Sequence, residues 1–334
     1  MLEHGGGVIA ASKRYGIPAD GWLDLSTGIN PNGWPVPQIP PAVWRRLPEA
    51  EDGLIAAASA HYQTDCVLPV AGSQAVIQTL PKLRAPCRVG VLAPSYNEHR
   101  HAWLRANHAV ENIAVDAIDA AIARLDVMVI CNPNNPTAVS FAPETLLAWC
   151  ARLAARGGWL IVDEAFVDAT PALSVARHIG ESGLIVLRSI GKFFGLAGIR
   201  VGFLLAWQEL LSAVQSELGP WAVSGPGRWV ATQALKDRNW QIAARDQLHQ
   251  SSQRLQALLS NYEFAPSGSA ALFVWVQTDT AAAMHEALAR QGILARYFAT
   301  PTSIRFGLPG DPVAWRRLEQ ALRKGAVILE RSSR

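Results

Sequence analysis

The sequence has few cysteines, no long apolar run and no block of like charges. Its four cysteines are scattered and form no Cys-x-x-Cys pair, which argues against a disulfide framework and against a zinc site, so no metal is expected. No apolar stretch approaches the ~20 residues of a membrane span, and the first residues lack the apolar core of a signal peptide. We therefore expect a cytoplasmic protein without a membrane partner.

The overall charge is small, which narrows the choice of partners. The formal net charge is +3 over 334 residues, and charged residues make up 17% of the chain. Nucleic-acid binding usually requires clustered basic residues, so no nucleic-acid partner is expected. Half of the residues (50%) are hydrophobic, which is enough for a large core. A chain of this length forms about two domains.

Short apolar runs alternate with helix-like stretches from about residue 65 onward. The runs are VLPVAG, RVGVLAP, VMVICNP, WLIVDEAF, LIVLRS and GIRVGFLLA. This alternation predicts an α/β fold in which a mostly parallel sheet lies between helices.

The pattern changes near residue 208. Helical stretches at roughly 208–218 and 226–262 precede the strand-like runs ALFVWVQT, ILARYF and SIRFGL and a last helix, which predicts a smaller α+β domain. We place an N-terminal arm, which contributes to the small domain and the active site, at residues 1–40. The large domain is placed at 41–220 and the small C-terminal domain at 221–334.

Polar residues and special backbone residues follow the predicted strands at their carboxyl ends, where open α/β sheets bind ligands. Each group also has a simpler interpretation, such as a tight turn for a Gly-Ser pair or a helix N-cap for an aspartate. The groups are Gly72-Ser73-Gln74, Pro94-Ser95-Tyr96, Asn132–Pro136, Asp163 and Ser189–Lys192.

Lys192 and Arg200 lie close together in the sequence SIGKFFGLAGIRVGF. Lys192 is followed by two phenylalanines, so its amine is either a desolvated nucleophile or an ordinary surface group. Arg200 lies in an apolar run, so we expect it to be buried with an anionic partner. Asp163 ends an apolar strand, where a carboxylate requires a cation partner.

The motifs NPNNPT, DEAF and SxxKxxxLAGxRxG occur in this order. Together they resemble the fold-type I family of enzymes that depend on pyridoxal 5′-phosphate (PLP). The most similar members are the class I/II aminotransferases related to histidinol-phosphate aminotransferase, and the resemblance covers nearly the whole chain. It implies a large PLP domain, a smaller α+β domain and a homodimer.

The resemblance also assigns roles to individual residues. Lys192 and Asp163 would be catalytic, because Lys192 would hold PLP as a Schiff base and Asp163 would keep the ring nitrogen protonated. Asn135 would donate to the phenolic oxygen, and Tyr96 would stack on the ring. Arg305 would bind the substrate carboxylate. The phosphate group of the cofactor would contact Gly72, Ser73, Gln74, Ser189 and Arg200.

The chain departs from the family at three positions. Phe166 stands where many members have a tyrosine that donates to the phenolic oxygen. Gly191 replaces a second serine or threonine near the phosphate. Leu47, in Arg46-Leu47-Pro48, replaces a tyrosine that reaches the partner subunit's cofactor. Each departure removes one expected cofactor contact.

Motifs that only bind PLP do not distinguish transamination from decarboxylation. The N-terminal arm adds information, because His4-Gly5-Gly6 and the following LDLSTGINPNGWP resemble the opening of the L-threonine-O-3-phosphate decarboxylases of cobalamin biosynthesis. The resemblance implies decarboxylation of this small phosphorylated amino acid to (R)-1-aminopropan-2-yl phosphate for the cobalamin nucleotide loop. The implied substrate-binding residues are His4, Asn30, Arg296 and Arg305.

Two other functions remain open from the sequence. One is a histidinol-phosphate-type aminotransferase, and the other is a catalytically silent PLP-fold protein that binds a partner. Among the substrate-binding candidates, His4 is alternatively an exposed terminal residue, and Arg296 is alternatively a solvated strand residue.

Overall fold

The computed structural model describes residues 4–180 and 182–332. The helices are α1 Val8–Tyr15, α2 Pro41–Arg45, α3 Leu54–Tyr62, α4 Ser73–Thr79, α5 Asn97–Arg105, α6 Ile118–Ala121, α7 Pro143–Ala154, α8 Gln208–Leu218, α9 Gly225–Lys236, α10 Arg238–Ser260, α11 Ala281–Ala289 and α12 Pro312–Ser332. The strands are β1 Leu23–Asp24, β2 Val67–Val70, β3 Arg88–Leu92, β4 Ala109–Ile113, β5 Val127–Cys131, β6 Trp159–Asp163, β7 Leu184–Ser189, β8 Gly202–Leu205, β9 Gly268–Ala270, β10 Phe273–Gln277, β11 Ile293–Leu294, β12 Arg296–Ala299 and β13 Thr302–Gly307.

The largest sheet has seven strands in the order β2-β8-β7-β6-β5-β3-β4. All neighbours from β7 to β4 are parallel, and β8 is antiparallel to both β2 and β7. The predicted mostly parallel sheet of an α/β fold is therefore confirmed. The edge strand β4, with the sequence AVENI, was not among the predicted strands, because most of its residues are only partly buried or exposed.

The central strands form the core of this sheet. Every residue of β5 and β6 is buried. Successive strand residues point to opposite faces, so complete burial means that both faces are covered. This explains why the two strands are continuous apolar runs in the sequence.

Contacts between residues divide the chain into two compact units. The larger unit contains Gly33–Asn135 and Val139–Ala243, and the smaller contains the residues up to Asn32, Pro136–Ala138 and those from Ala244 onward. The sequence predicted that the large domain spans residues 41–220. The larger unit of the structure also includes residues 33–40 and 221–243. The three-domain division by function stays a prediction.

The helical stretch expected at 226–262 is two helices, α9 and α10, separated at Asp237. The Asp237 carboxylate accepts the backbone N–H of Trp240 at 3.0 Å, which is the interaction of an N-cap residue. A new helix therefore begins at this aspartate. Helix α8, in contrast, has the bounds expected from the sequence.

The smaller unit contains an antiparallel sheet in the order β12-β13-β10-β9 and the parallel pair β1-β11. Strands β10 to β13 come from the runs ALFVWVQT, ILARYF and SIRFGL predicted for the smaller α+β domain, whereas β1 lies in the N-terminal arm and β9 precedes the first run. In the described part of the chain, no helix has the length and hydropathy that crossing a membrane requires.

A buried charge network joins β7 to the segment after β6. Arg188 donates to Glu164 Oε2 at 2.5 Å from Nη1 and to Asp168 from Nη2. Glu164 also accepts the Ser174 hydroxyl at 2.6 Å and the Val175 N–H at 2.7 Å. Burial opposes the charge on Arg188, but the two carboxylates outweigh it and raise the pKa of the guanidinium. Arg188 is therefore the cation that the two carboxylates share, and His61 Nε2 also lies 3.2 Å from Asp168 Oδ1.

Replacing this cation should destabilise the fold strongly. We expect Arg188→Met to lower the free energy of unfolding by about 3–5 kcal/mol, because two buried carboxylates lose their counter-charge. Urea denaturation of the cofactor-free protein measures the change. Arg124 is the matched control, since its guanidinium binds Glu111 with two 2.9 Å hydrogen bonds at an exposed position. Arg124→Met should cost at most about 1 kcal/mol, and equal losses in the two variants would contradict the assignment.

Candidate active site

Six strands of the large sheet have their carboxyl ends at one edge, and the predicted polar groups follow five of them, β2, β3, β5, β6 and β7. Strands β3, β5, β6 and β7 are parallel, and β2 runs in the same direction as β7 because β8 is antiparallel to both. Every polar group that the sequence placed at a strand end in this unit therefore lies at the same edge. This edge is where open α/β sheets bind ligands.

Gly72, Ser73 and Arg200 lie together at this edge. Gly72 has a φ of 75°, and a Cβ atom added to it would lie 2.7 Å from Nη2 of Arg200. A Cβ atom on Gly202 would lie 2.7 Å from the Ser73 nitrogen. Because neither glycine has a Cβ atom, the Arg200 guanidinium packs directly against Gly72, and the first residue of α4 packs directly against Gly202. The arrangement suits an anion such as a phosphate group.

The expectation that Arg200 is buried is wrong. Its side chain is exposed, and its backbone has a φ of 53°, a left-handed conformation that is uncommon for a residue with a Cβ atom. Nη1 donates to the Ala197 carbonyl at 3.2 Å. The apolar run around Arg200 misled the prediction, because the chain turns at this residue before β8 begins.

Gly191 follows Ser189 in the turn after β7. The Gly191 N–H donates to Ser189 Oγ at 3.3 Å, and a Cβ atom on Gly191 would lie 3.0 Å from the Ala197 Cα. A serine or threonine here would therefore push against the backbone of Ala197. This contact explains the departure from the family at position 191.

Asp163 is buried and paired with His99, which the sequence had not singled out. His99 Nε2 lies 2.8 Å from Asp163 Oδ2, and the Ala165 N–H donates to Oδ1 at 3.0 Å. Burial opposes protonation of His99, but hydrogen bonds to Asp163 and Cys131 outweigh it and raise its pKa to about 10. His99 is therefore a cation at neutral pH. It is the cation partner that a carboxylate at this strand end requires.

Asn135 differs from the two other asparagines of the NPNNP motif. Asn134 is buried, accepts the Ser95 hydroxyl at 2.7 Å and donates to the Pro94 carbonyl at 2.9 Å. Asn132 is buried as well, and its side chain exchanges hydrogen bonds with the backbone of Phe141. Two asparagines thus fix the loops, while Asn135 is only half-buried. This difference agrees with the choice of Asn135 as the ligand-binding asparagine.

Gln74 connects Tyr96 to the start of α4. The Tyr96 hydroxyl donates to Gln74 Oε1 at 3.2 Å, and Gln74 Nε2 donates to Glu98 at 2.8 Å. Burial, and after it the nearby Asp163 carboxylate, raises the pKa of Tyr96. The tyrosine is thus a neutral ring held in place at the edge. Gln74, expected to contact the cofactor, orients Tyr96 in this structure.

Lys192 is half-buried and lies in the turn that follows β7, at the same edge of the sheet. Its Nζ lies 5.7 Å from the ring centroid of Phe166, and the two phenylalanines that follow it are fully buried. This placement favours the desolvated amine over an ordinary surface lysine. Phe166, where many relatives have tyrosine, presents its ring face to the lysine.

The four predicted substrate-binding residues all belong to the smaller unit. Arg305 is buried and donates to the Ser26 carbonyl at 2.7 Å. Ser26 Oγ accepts the Gly6 N–H at 2.7 Å, and a Cβ atom on Gly5 would lie 2.3 Å from the Ser26 carbonyl oxygen. The His-Gly-Gly segment and Arg305 therefore meet at Ser26. Glycine is required at position 5 because the two backbones approach so closely.

Arg296 and Arg305 face each other across two antiparallel strands, β12 and β13. Burial and the charge of Arg296 lower the pKa of Arg305 to about 10, although Asp24 acts in the opposite direction. Like charges directly opposite on neighbouring strands are destabilising. An anionic ligand would relieve this repulsion, so the pair is suited to an acidic substrate.

A cavity of about 450 Å³ lies in the smaller unit and is lined by His4, Ser26 and Arg296, together with Tyr15, His285 and Tyr297. Asn30, the fourth predicted residue, is buried, and its Oδ1 accepts the Asn32 N–H at 2.9 Å. The structure therefore brings His4 and Arg296 to one cavity, whereas Asn30 is engaged in a local turn.

The sequence profile described as aminotransferase class I and II matches residues 24–322. The chain belongs to the class I and II aminotransferase family. The resemblance predicted from the NPNNPT, DEAF and lysine motifs is thereby confirmed.

Three relatives show where the chain stands within the class I and II aminotransferases. It is 53% identical to a threonine-phosphate decarboxylase of Pseudomonas aeruginosa, over 96% of this chain and 97% of the relative. It is 43% identical to a threonine-phosphate decarboxylase of a Sinorhizobium species, over 96% of this chain and 97% of the relative. A histidinol-phosphate aminotransferase of Cronobacter sakazakii is 28% identical over 86% of this chain and 84% of its own length.

Solved structures confirm the fold of a class I and II aminotransferase. Histidinol-phosphate aminotransferase from Sinorhizobium meliloti, solved in complex with pyridoxal-5′-phosphate, superposes with a TM-score of 0.82 at 20% identity. The match covers 97% of this chain and 95% of the other.

Pyridoxal 5′-phosphate is the cofactor of this class I and II aminotransferase family member. The residues at the sheet edge fit it. The Arg200 guanidinium beside Gly72 and the first N–H groups of α4 suit a phosphate group, the Asp163 carboxylate suits a protonated ring nitrogen, and the Lys192 amine suits an aldehyde carbon.

Two functional residues of this family member were missed from the sequence, His99 and Ser26. His99 lies three residues after Tyr96, on the first turn of α5. This spacing is only a weak signal of a site residue, because the order of the strands is needed to place His99 beside Asp163. Ser26 lies in the LSTGINP segment already noted, and the shared contact with Gly6 and Arg305 appears only in the fold.

The His99–Asp163 pair should make stability depend on pH. The folded pKa of about 10 lies above the ordinary value of 6.5. The contribution of His99 to stability is therefore complete below pH 6.5 and is lost as the pH rises through about 10. We expect the stability advantage of the cofactor-free wild type over His99→Gln to decrease between these pH values. Urea denaturation at several pH values measures it, and a constant difference would contradict the assigned charge on His99.

Proposed function

We propose that the protein is a PLP-dependent decarboxylase of L-threonine O-3-phosphate. The observation that carries the proposal is its 53% and 43% identity, over nearly full length, to proteins named threonine-phosphate decarboxylase. The product would be (R)-1-aminopropan-2-yl phosphate, used for the nucleotide loop of cobalamin. The histidinol-phosphate aminotransferase relative is much less similar, at 28% identity.

The site residues argue against a catalytically silent partner protein. A protein that only binds a partner has no need of a desolvated lysine or of a buried carboxylate with its own cation partner. The buried carboxylate here is Asp163, paired with His99 at 2.8 Å, and the half-buried Lys192 lies beside the ring of Phe166. Such groups with perturbed surroundings cluster at catalytic sites.

The larger unit supplies the residues for the cofactor. When bound, PLP withdraws electrons from the substrate Cα. Asp163 would accept a hydrogen bond from the protonated ring nitrogen, while His99 holds the carboxylate in place. Lys192 would bind the cofactor aldehyde, and after loss of CO₂ it would return a proton to Cα. The remaining cofactor-binding residues would be Gly72, Ser73, Gln74, Tyr96, Asn135, Ser189 and Arg200.

The smaller unit supplies the residues for the substrate, which carries a carboxylate and a phosphate. Arg305 would bind the carboxylate, and Arg296 with His4 would bind the phosphate at the cavity they line. Asn30 would support this site through the turn it forms with Asn32. The opposed arginines explain why a doubly anionic amino acid would bind better than a neutral one.

We also propose a cytoplasmic homodimer. Cytoplasmic location is supported by four cysteines that are all free thiols. The dimer is supported by an apolar surface of the larger unit, the α2/α9 face, made of Trp44, Leu47 and Trp221, which are 64%, 63% and 59% exposed. These residues lie in α2 or beside the ends of α2 and α9, two helices that pack against each other. Exposed apolar surface of this kind usually marks an interface.

The proposed reaction can be tested directly. Purified holoenzyme incubated with L-threonine O-3-phosphate should release CO₂ and the amino-alcohol phosphate in equal amounts. Arg305→Gln should reduce kcat/KM by about 100-fold, since a charge-assisted bidentate contact is lost. Lys192→Ala should lose both the activity and the visible absorption of the bound cofactor.

One result would overturn the decarboxylase assignment. If a keto acid forms only when an amino acceptor is supplied, and no CO₂ is released, the protein is an aminotransferase. Histidinol phosphate would then be the first substrate to test. The absorption band lost in Lys192→Ala would still establish the cofactor site.

The dimer makes a separate prediction. Light scattering after gel filtration should give twice the chain mass of 36.1 kDa for the wild type. The double variant Trp44→Ser, Leu47→Ser should shift the protein toward monomer, because two large apolar side chains leave the α2/α9 face. A monomeric wild type at micromolar concentration would contradict the proposal.

A further inference from the structure

The loop that follows Lys192 is held by the segment Gly33-Trp34. The Trp34 N–H donates to the Phe194 carbonyl at 2.8 Å. A Cβ atom added to Gly33 would lie 3.0 Å from the Phe194 carbonyl oxygen and 3.1 Å from the Gly195 Cα. The two backbones therefore touch with no room for a side chain. Gly33-Trp34 ends the GINPNGW sequence of the N-terminal arm, and no step of the proposed reaction uses it.

Asp237 ties this segment to the start of α10. The Trp34 indole Nε1 donates to Asp237 Oδ2 at 3.0 Å, and the Trp240 N–H donates to Oδ1 at 3.0 Å. The two carboxylate oxygens thus hold two different parts of the chain. Trp34 itself is 7% exposed, so its indole N–H requires an acceptor inside the protein.

Trp240 completes the contact from the other side. Its ring stacks on Phe194, with centroids 5.6 Å apart and an interplanar angle of 19°. It also meets Phe193 edge-on, with centroids 5.4 Å apart. Both phenylalanines are fully buried. The residues immediately after Lys192 are therefore packed against an indole and hydrogen-bonded through their backbone.

We propose that Gly33, Trp34, Asp237 and Trp240 form a clamp that positions Lys192. The clamp fixes Phe193 and Phe194, and the Gly195 N–H donates to the Lys192 carbonyl at 3.2 Å to close the turn. None of the four residues touches the reacting atoms, so they are positioning residues. The inference rests on the proposed role of Lys192 as the cofactor-binding lysine.

The physical reason for such a clamp is that small displacements of a reacting group are costly. A misplacement of ~1 Å reduces rate by roughly 100-fold. The turn from Ser189 to Gly195 contains two glycines, Gly191 and Gly195, and has little intrinsic stiffness. Rigidity at Lys192 must therefore come from outside the turn. The Asp237 carboxylate, the indoles of Trp34 and Trp240 and the backbone contact of Gly33 supply this rigidity.

The test uses the holoenzyme and a matched pair of tryptophan variants. Trp34 and Trp149 are each 7% exposed, and each indole donates to an aspartate, Asp237 at 3.0 Å and Asp119 at 3.2 Å. Trp34→Phe should lower kcat about tenfold, with little change in KM, and should shift the pH titration of the cofactor's visible band. Trp149→Phe should lower thermal stability comparably and leave kcat and the titration unchanged.

Two further variants probe the clamp while leaving both indole rings in place. Gly33→Ala should displace the loop by a few tenths of an ångström, and Asp237→Ala should release the Trp34 indole N–H and the Trp240 backbone N–H. Both should shift the titration, as Trp34→Phe does. If all three variants reduce thermal stability yet keep the wild-type titration and kcat, the clamp has only a structural role and the proposal fails.

Failure of the clamp can be separated from failure of the underlying assignments. Borohydride reduction of the wild type, followed by peptide mass spectrometry, identifies the lysine that carries the cofactor. Labelling of another lysine would remove the basis of the clamp. The spectral titration needs no substrate, so its result stands even if L-threonine phosphate proves to be the wrong substrate.

Discussion

The buried pairing of Arg188 with Glu164 and Asp168 is the interaction on which the candidate active site depends. Arg188 lies on β7, directly before Ser189, and both carboxylates lie in the segment that follows Asp163. One guanidinium therefore fixes the segment that carries Asp163 and Phe166 relative to the strand that leads to Lys192. Removing one member of such a buried pair leaves an uncompensated charge in a low-dielectric interior, so the arrangement is costly to break.

Much of the fold could be predicted from the sequence, because the signals are local. The buried strands are continuous apolar runs, and the turn and motif residues at their ends identify the PLP site. The edge strand β4 could not be recognised, because its residues are only partly buried. Arg200 was wrongly expected to be buried, because the apolar residues around it belong to a turn and to β8 rather than to one buried element.

The residues missed at the site share one property, which is that their partners are distant in the sequence. His99 meets Asp163 from 64 residues away, and Ser26 meets Arg305 from 279 residues away. Histidine and serine are common residues and carry no local pattern. Such pairs follow from strand order and from the packing of the N-terminal segment on β13, neither of which periodicity reveals.

Charge is arranged differently in the two units, and the difference bears on function. In the larger unit, Asp163 faces protonated His99 and Arg188 faces two carboxylates, so each buried charge meets its opposite. In the smaller unit, Arg305 faces Arg296 across the sheet, and the pKa of Arg305 falls to about 10. Asp24 offsets part of the repulsion between the two arginines, and the repulsion lowers the stability of this unit. A ligand that binds only the folded state raises the free energy of unfolding, and the increase is larger for a ligand of higher affinity. The larger unit thus pairs its buried charges with opposite ones, whereas the smaller unit places two arginines opposite each other, an arrangement that would favour an anionic ligand.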